Sequence, residues 1–221
     1  MKKKYVVASA LALAMSLGLV TSPKAEASSS AKYYFKQYKT VKKYKRVRGI
    51  FSYQLPQLKG KSVAVKKINK SLRKNYTAEL KRKKQVFEFA KWESKHFRSS
   101  HETFDDIVKT RVTYNKNGVI SFRYDQALDP AGSGTFLIGS WTYSLKTGKK
   151  LTVFDVAEGD KSSVGAQLYY GAVDLGADDE YLRTTHSSKM NYTLKGGKVY
   201  VYPRIAAAYN SKYFVIPSRY K

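Results

Sequence analysis

Histidine and cysteine set the first limit on chemistry: the chain has His96, His101 and His186, and no cysteine. His96 and His101 are five residues apart, which places them on different faces of a helix rather than stacked at i, i+4. Neither His-x-x-x-His nor His-Glu-x-x-His occurs, so nothing marks a zinc site and the three are read as solvated. Lys146-Thr147-Gly148 and Ser71-Leu72-Arg73-Lys74 match two short motifs of serine acyl-transfer enzymes, but no Ser-x-Asn element lies between them. The Thr-Gly pair is better explained as a turn. Gly132-Ser133-Gly134 lacks the spacing of a nucleophile elbow. Asp105-Asp106 and Asp178-Asp179-Glu180 lack the alternating ligand pattern of a calcium loop. The expectation is no catalytic residue, no cofactor and no metal: the protein is not read as an enzyme. An unrecognised wall-polymer hydrolase is kept as a third reading: it would need two carboxylates converging in one cleft, which the sequence neither shows nor excludes.

What remains is charge. Between Lys32 and Lys84 lie nineteen Lys and Arg residues against one acid, Glu79, whereas Gln85 to Lys221 holds nineteen basic against fourteen acidic. A like-charged block of that length repels itself and suits a polyanion, whose counterions it releases on binding. The residues assigned to this contact are Lys36, Lys39, Lys42, Lys43, Lys45, Arg46 and Arg48, helped by Lys66, Lys70, Arg73, Lys74, Lys81 and Lys83. Tyr34, Tyr38 and Tyr44 are interleaved with them, and an exposed role is expected for these and for Tyr33, stacking on bases or sugar faces.

The elements that would carry these residues follow from spacing. Met1 to Lys4 is charged, Val6 to Val20 apolar, and Ala25-Glu26-Ala27 a small-residue cleavage site, so residues 1–27 are read as a secretory signal peptide. The apolar run is shorter than the roughly 20 residues a spanning helix needs. The remaining 194 residues carry a net charge of +23 and suit one domain. Residues 28–46 read as a basic, Tyr-rich arm, and 47–221 as the folded domain. Val47 to Leu55 alternates as a strand that Pro56 ends. Ser62 caps a helix whose stripe is Val65, Ile68, Leu72, Tyr76 and Leu80, continuing, with a break, through Trp92.

From Asp106 the period becomes two. Strands are predicted to Tyr114, over Val119 to Gln126, Phe136 to Leu145 and Leu151 to Phe154, with Asn117-Gly118 and Thr147-Gly148 as turns. A helix is predicted from Ser162 to Asp174, then a hairpin about Gly196-Gly197 and a last strand, Tyr213 to Ile216. Strands in runs with two inserted helices predict a single α+β domain: an antiparallel sheet with two main helices packed on one face.

Several segments in this order resemble the extracellular PdaC/RsiV-like domain family, found beside a peptidoglycan deacetylase domain and as the outer part of lysozyme-sensing anti-sigma factors. They are Tyr53-Gln54-Leu55-Pro56-Gln57-Leu58-Lys59-Gly60, then Lys67-Ile68-Asn69; Thr142 to Lys149 running into Leu151-Thr152-Val153-Phe154-Asp155-Val156; and Val199-Tyr200-Val201-Tyr202-Pro203 with Val215-Ile216-Pro217. Residues 47–219 would be covered. The chain departs from the family where Gly132-Ser133-Gly134-Thr135 replaces Gly-Gly-Ala-His, at Ser144, which replaces an Asp, and over Pro203 to Tyr209. The resemblance implies the α+β fold and an envelope location, without the deacetylase's catalytic domain.

Together these readings predict an exported, non-catalytic envelope protein, secreted or wall-associated, that binds an anionic polymer. Teichoic acid and an anionic lipid surface are the expected partners, and nucleic acid only if extracellular. Binding of lysozyme or another envelope protein, as in the lysozyme-sensing relatives, is the alternative. Lysozymes of the familiar kind are themselves basic, which sets long-range repulsion against them.

Overall fold

A computed structural model of the chain describes residues 30–97, 102–129, 134–177, 182–183, 189–203 and 212–221. The proposed signal peptide, His101, His186, the loop at Gly132 and Ser133, and the acids Asp178 to Glu180 lie outside them.

The fold is a single α+β domain built on a six-stranded sheet in sequential order, with a three-stranded sheet beside it. The first contains β1 (Tyr33–Tyr44), β2 (Val47–Leu58), β3 (Thr103–Lys116), β4 (Val119–Asp129), β5 (Thr135–Ser144) and β6 (Lys150–Leu151). The second contains β7 (Asn191–Lys195), β8 (Lys198–Tyr202) and β9 (Phe214–Pro217). The helices are α1 (Val63–His96), the single turn α2 (Val153–Val156) and α3 (Lys161–Asp174).

Most of the stretch expected as an arm is a strand. All twelve residues of β1 pair with β2, from Tyr33 opposite Leu58 to Tyr44 opposite Val47, around a turn at Lys45 and Arg46. β2 also runs through Pro56 instead of stopping there. Pro56 faces Phe35, and pairing between β2 and β3 ends at Tyr53 with Val108, so the missing amide falls where β2 has no neighbouring strand to bond.

Two further expectations about the sheet are corrected. β2 and β3 pair in parallel, Arg48 beside Thr103 through Tyr53 beside Val108, and α1 is the crossover between them. At 34 residues it is roughly 51 Å long, enough to bring the chain back to the starting end of β2. The two main helices do not share one face. Ile68, Leu72, Val86, Phe87 and Ala90 of α1 join a core with Phe51, Tyr53, Phe104, Ile120, Phe122 and Tyr143 on one side of the large sheet. Alternation along β4 and β5 puts Val119, Ser121, Ser140 and Thr142 on the other side. There the edge of β7 rests on them: the Tyr192 amide donates to Ser140 Oγ at 2.8 Å and the Leu194 amide to Ser121 Oγ at 3.2 Å. Val164 and Leu168 of α3 complete that second core with Leu194, Val199 and Val201.

Local signals account for the element ends. Ser62 Oγ accepts the Val65 amide at 3.2 Å and starts α1, which continues unbroken to His96. Asp160, not Ser162, caps α3 by accepting the Ser163 amide at 2.8 Å. Leu151 to Phe154 is not one strand, because the Thr152 amide and hydroxyl both bond Asp155, the capping box that begins α2. Asn117 and Gly118 both have positive φ, as a two-residue hairpin turn requires. Gly148 is needed twice over: its φ is +72°, and a Cβ there would lie 2.7 Å from the Ala64 carbonyl oxygen of α1.

Candidate cationic surface

α1 and β1 carry the charge. Among the expected contact residues, Lys83, Tyr38 and Tyr44 are half-buried and the others exposed. They do not share one face. Even-numbered β1 residues point toward α1: Tyr38 stacks on Tyr76 at 4.3 Å between ring centroids, and Lys42 lies 5.0 Å above the Phe87 ring. Lys36, whose Nζ is 5.1 Å from the Tyr38 ring, is on this side too. Odd-numbered Lys39 and Lys43 point the opposite way, Lys43 paired with Arg48. Lys45 and Arg46 form the hairpin tip. Lys66, Lys70, Arg73, Lys74 and Lys81 are exposed along α1, and Arg73 reaches Gln57 Oε1 at 3.5 Å.

Where strand and helix meet, Lys42, Lys83, Lys84 and Lys91 line a groove of about 490 Å³ floored by Tyr44, Leu80 and Phe87. Lys84 closes the basic stretch read from the sequence but was not named among its contact residues, and Lys91 and this apolar floor were missing, although Lys84 and Lys91 are seven apart and so share a helix face. Leu80, assigned to the buried stripe, is 37% exposed in the groove. Tyr38 and Tyr44 pack against the core, which corrects their expected exposure, while Tyr33 and Tyr34 are exposed.

The charge is little neutralised. Of the nineteen cations from Lys32 to Lys84, two meet a carboxylate among the described residues: Arg82 with Glu79 at 3.3 Å and Lys84 with Glu88 at 3.5 Å.

Beneath the middle of α1 lies a polar cluster that hydrophobic spacing did not reveal. Between Leu72 and Val86 the helix has no fully buried residue, and Glu79 and Arg82 lie over the sheet instead. The Gln126 side-chain amide donates to Asp106 Oδ1 at 2.6 Å and to Glu79 Oε2 at 3.3 Å, while Arg82 donates to Gln126 Oε1 at 2.7 Å. Two carboxylates thus converge on one amide, but Asp106 is wholly buried. Burial raises its carboxyl to about 6; the Gln126 bond opposes this and Glu79 adds to it. Tyr53 Oη, Tyr124 Oη and Asp106 Oδ2 are buried without a hydrogen-bond partner. Burial lifts the Tyr143 phenol to about 12 against the 3.0 Å bond that it shares with Ser71 Oγ.

This placement also bears on the acyl-transfer motifs. Ser71 is partnered by Tyr143, and Lys146-Thr147-Gly148 forms the turn that packs on the first residues of α1. His96 stacks on Trp92 at the exposed end of α1, 4.6 Å between centroids. No group of three or more His, Asp or Glu side chains suited to a metal occurs among the described residues.

The architecture has solved counterparts. It is the fold of the DUF3298 proteins. A DUF3298 member from Bacteroides fragilis superposes with a TM-score of 0.57 at 13% identity, covering 86% of this chain and 91% of that one. A DUF3298 protein from Pseudomonas aeruginosa gives 0.51 at 12% identity, with the same coverage of each chain. This likeness is consistent with the fold that the PdaC/RsiV-like motifs implied. No protein-family model matches the sequence, and no curated relative does.

Proposed function

We propose that this is an exported, non-catalytic envelope module of PdaC/RsiV-like kind that binds anionic polymers, teichoic acid or an anionic lipid surface, through the cationic side of α1 and β1. The observation that carries the reading is the density of cations that have no carboxylate partner among the described residues along these two adjacent elements. Such a surface gains affinity by releasing counterions, and its groove gathers Lys42, Lys83, Lys84 and Lys91 against one acid, Glu88. The proposed signal peptide and the envelope setting of the family that it resembles supply the location. On this reading Lys39, Lys43 and Arg48, on the far face, act as a second, weaker contact.

Co-sedimentation with purified cell walls tests it. Intact walls should retain the protein, walls stripped of teichoic acid should retain several-fold less, and half-molar salt should release it. Equal retention on stripped walls, or binding indifferent to salt, counts against the proposal.

A further inference from the structure

β1 is an edge strand, and its free side is oriented. The Lys59 amide bonds the Lys32 carbonyl at 2.8 Å, in the same register that pairs Tyr33 with Leu58. In an antiparallel pair, residues that exchange such bonds alternate with residues that do not. Even-numbered residues of β1 therefore direct N–H and C=O to β2, and odd-numbered ones, from Tyr33 to Lys43, direct theirs outward. Among the described residues no strand lies on that outer side. The edge is twelve residues long, has no proline, and its register with β2 has no irregularity.

We infer that this open edge takes up an extended, acidic polypeptide segment of a partner protein as an added strand. Charge decides the occupant. Lysines along an edge ordinarily keep other strands off. Here Lys39 and Lys43 on one face, with Lys36 and Lys42 on the other, repel a second copy of this chain equally and favour a strand rich in Asp and Glu. An added strand has alternating side chains, so those on the α1 side would reach the groove floored by Leu80 and Phe87, where an aliphatic group fits. Main-chain bonds would supply affinity, and the groove and lysines would supply selection. This inference adds the backbone edge, which the polymer reading does not use, although both draw on the same lysines and groove.

The probe is a twelve-residue peptide alternating Glu with Val, compared with a proline-interrupted peptide of similar charge and with polyphosphate. Amide hydrogen exchange is read residue by residue. On binding of the alternating peptide, the outward amides of Gln37, Lys39 and Val41 should slow at least tenfold, while those of Tyr38 and Thr40, already bonded to β2, change little. Val41→Pro, which removes an outward donor and none used by β2, should weaken binding at least tenfold. The same peptide N-methylated at alternate residues should lose binding to the unaltered protein in one of its two methylation phases, which covers the case of a variant that does not fold. Absence of peptide binding, equal binding of the interrupted peptide, or unchanged exchange at the odd positions overturns the inference. So does equal protection of those amides by polyphosphate, which would mean that charge alone acts. Wall binding with no protection of the edge leaves the polymer proposal standing and this one refuted; peptide binding without wall retention does the reverse.

Discussion

The two cores of this domain treat buried polar groups differently. In the second, Tyr192 donates to the Leu151 carbonyl at 2.7 Å, Ser121 bonds Thr142 at 2.9 Å, and the hydroxyls of Ser121 and Ser140 accept β7 amides. In the first, under α1, Tyr53 Oη, Tyr124 Oη and Asp106 Oδ2 are left without partners, and two carboxylates share one amide. The better-satisfied core lies on the side away from α1, and the strained one lies beneath the cationic helix. A buried polar group without a partner costs about 1–3 kcal/mol, so the α1 side is held by its apolar ends rather than by its centre.

The largest expected effects test whether the cores are nevertheless one unit. Leu72→Ala in the first and Leu194→Ala in the second each remove a fully buried side chain and should each cost roughly 2–5 kcal/mol. Both should lower a single thermal transition. Two separated transitions in calorimetry would mean that the sheets unfold independently.

Asp106 sharpens the contrast. Its folded pKa, about 6, lies above the unfolded value, so the folded state holds the proton more tightly. Its contribution to stability is therefore most favourable below pH 4 and is lost as pH rises toward 6 and beyond, by roughly 2–3 kcal/mol in all. Asp106→Asn keeps an acceptor for Gln126 and removes the titration. The variant should be more stable than the parent at pH 7.5, the difference fading by pH 4 in denaturant titrations. A difference independent of pH would show that folding leaves the Asp106 carboxyl unshifted.

A smaller effect has opposite signs in the two cores. Tyr192→Phe removes the partner of the Leu151 carbonyl and should cost about 1–2 kcal/mol. Tyr124→Phe removes a hydroxyl that bonds nothing and should be neutral or stabilising by up to about 1 kcal/mol. Equal losses at both positions, measured by urea unfolding, would erase the distinction between the cores.

How legible these regions were in the sequence follows the same divide. Turns with diagnostic residues, Asn117-Gly118 and Gly196-Gly197, were readable, and so were the strands beside them. The β1–β2 hairpin was not, because its turn is Lys45-Arg46, with Lys45 at a φ of +54° that lysine seldom adopts, and because β1 is too exposed to show a clean alternation. The helix stripe was legible to Tyr76 and then misled. Helical spacing puts Leu80 inward on apolarity alone, whereas the fold turns it into the groove and seats Glu79 and Arg82 over Asp106 and Gln126. That polar cluster joins residues 47 positions apart, and only the parallel crossover brings them together. The basic character of the surface was plain from composition, but its division between two faces of β1 was not, since it depends on strand phase.

The salt dependence of binding to a purified anionic polymer tests the cationic surface most directly. Log affinity against log salt should fall on a straight line steeper than about −3, and Lys42→Gln with Lys83→Gln and Lys84→Gln should flatten it by about 2, at roughly 0.7–0.9 per phosphate neutralised. A flat line for the unaltered protein, or the same slope in the triple variant, would contradict the account.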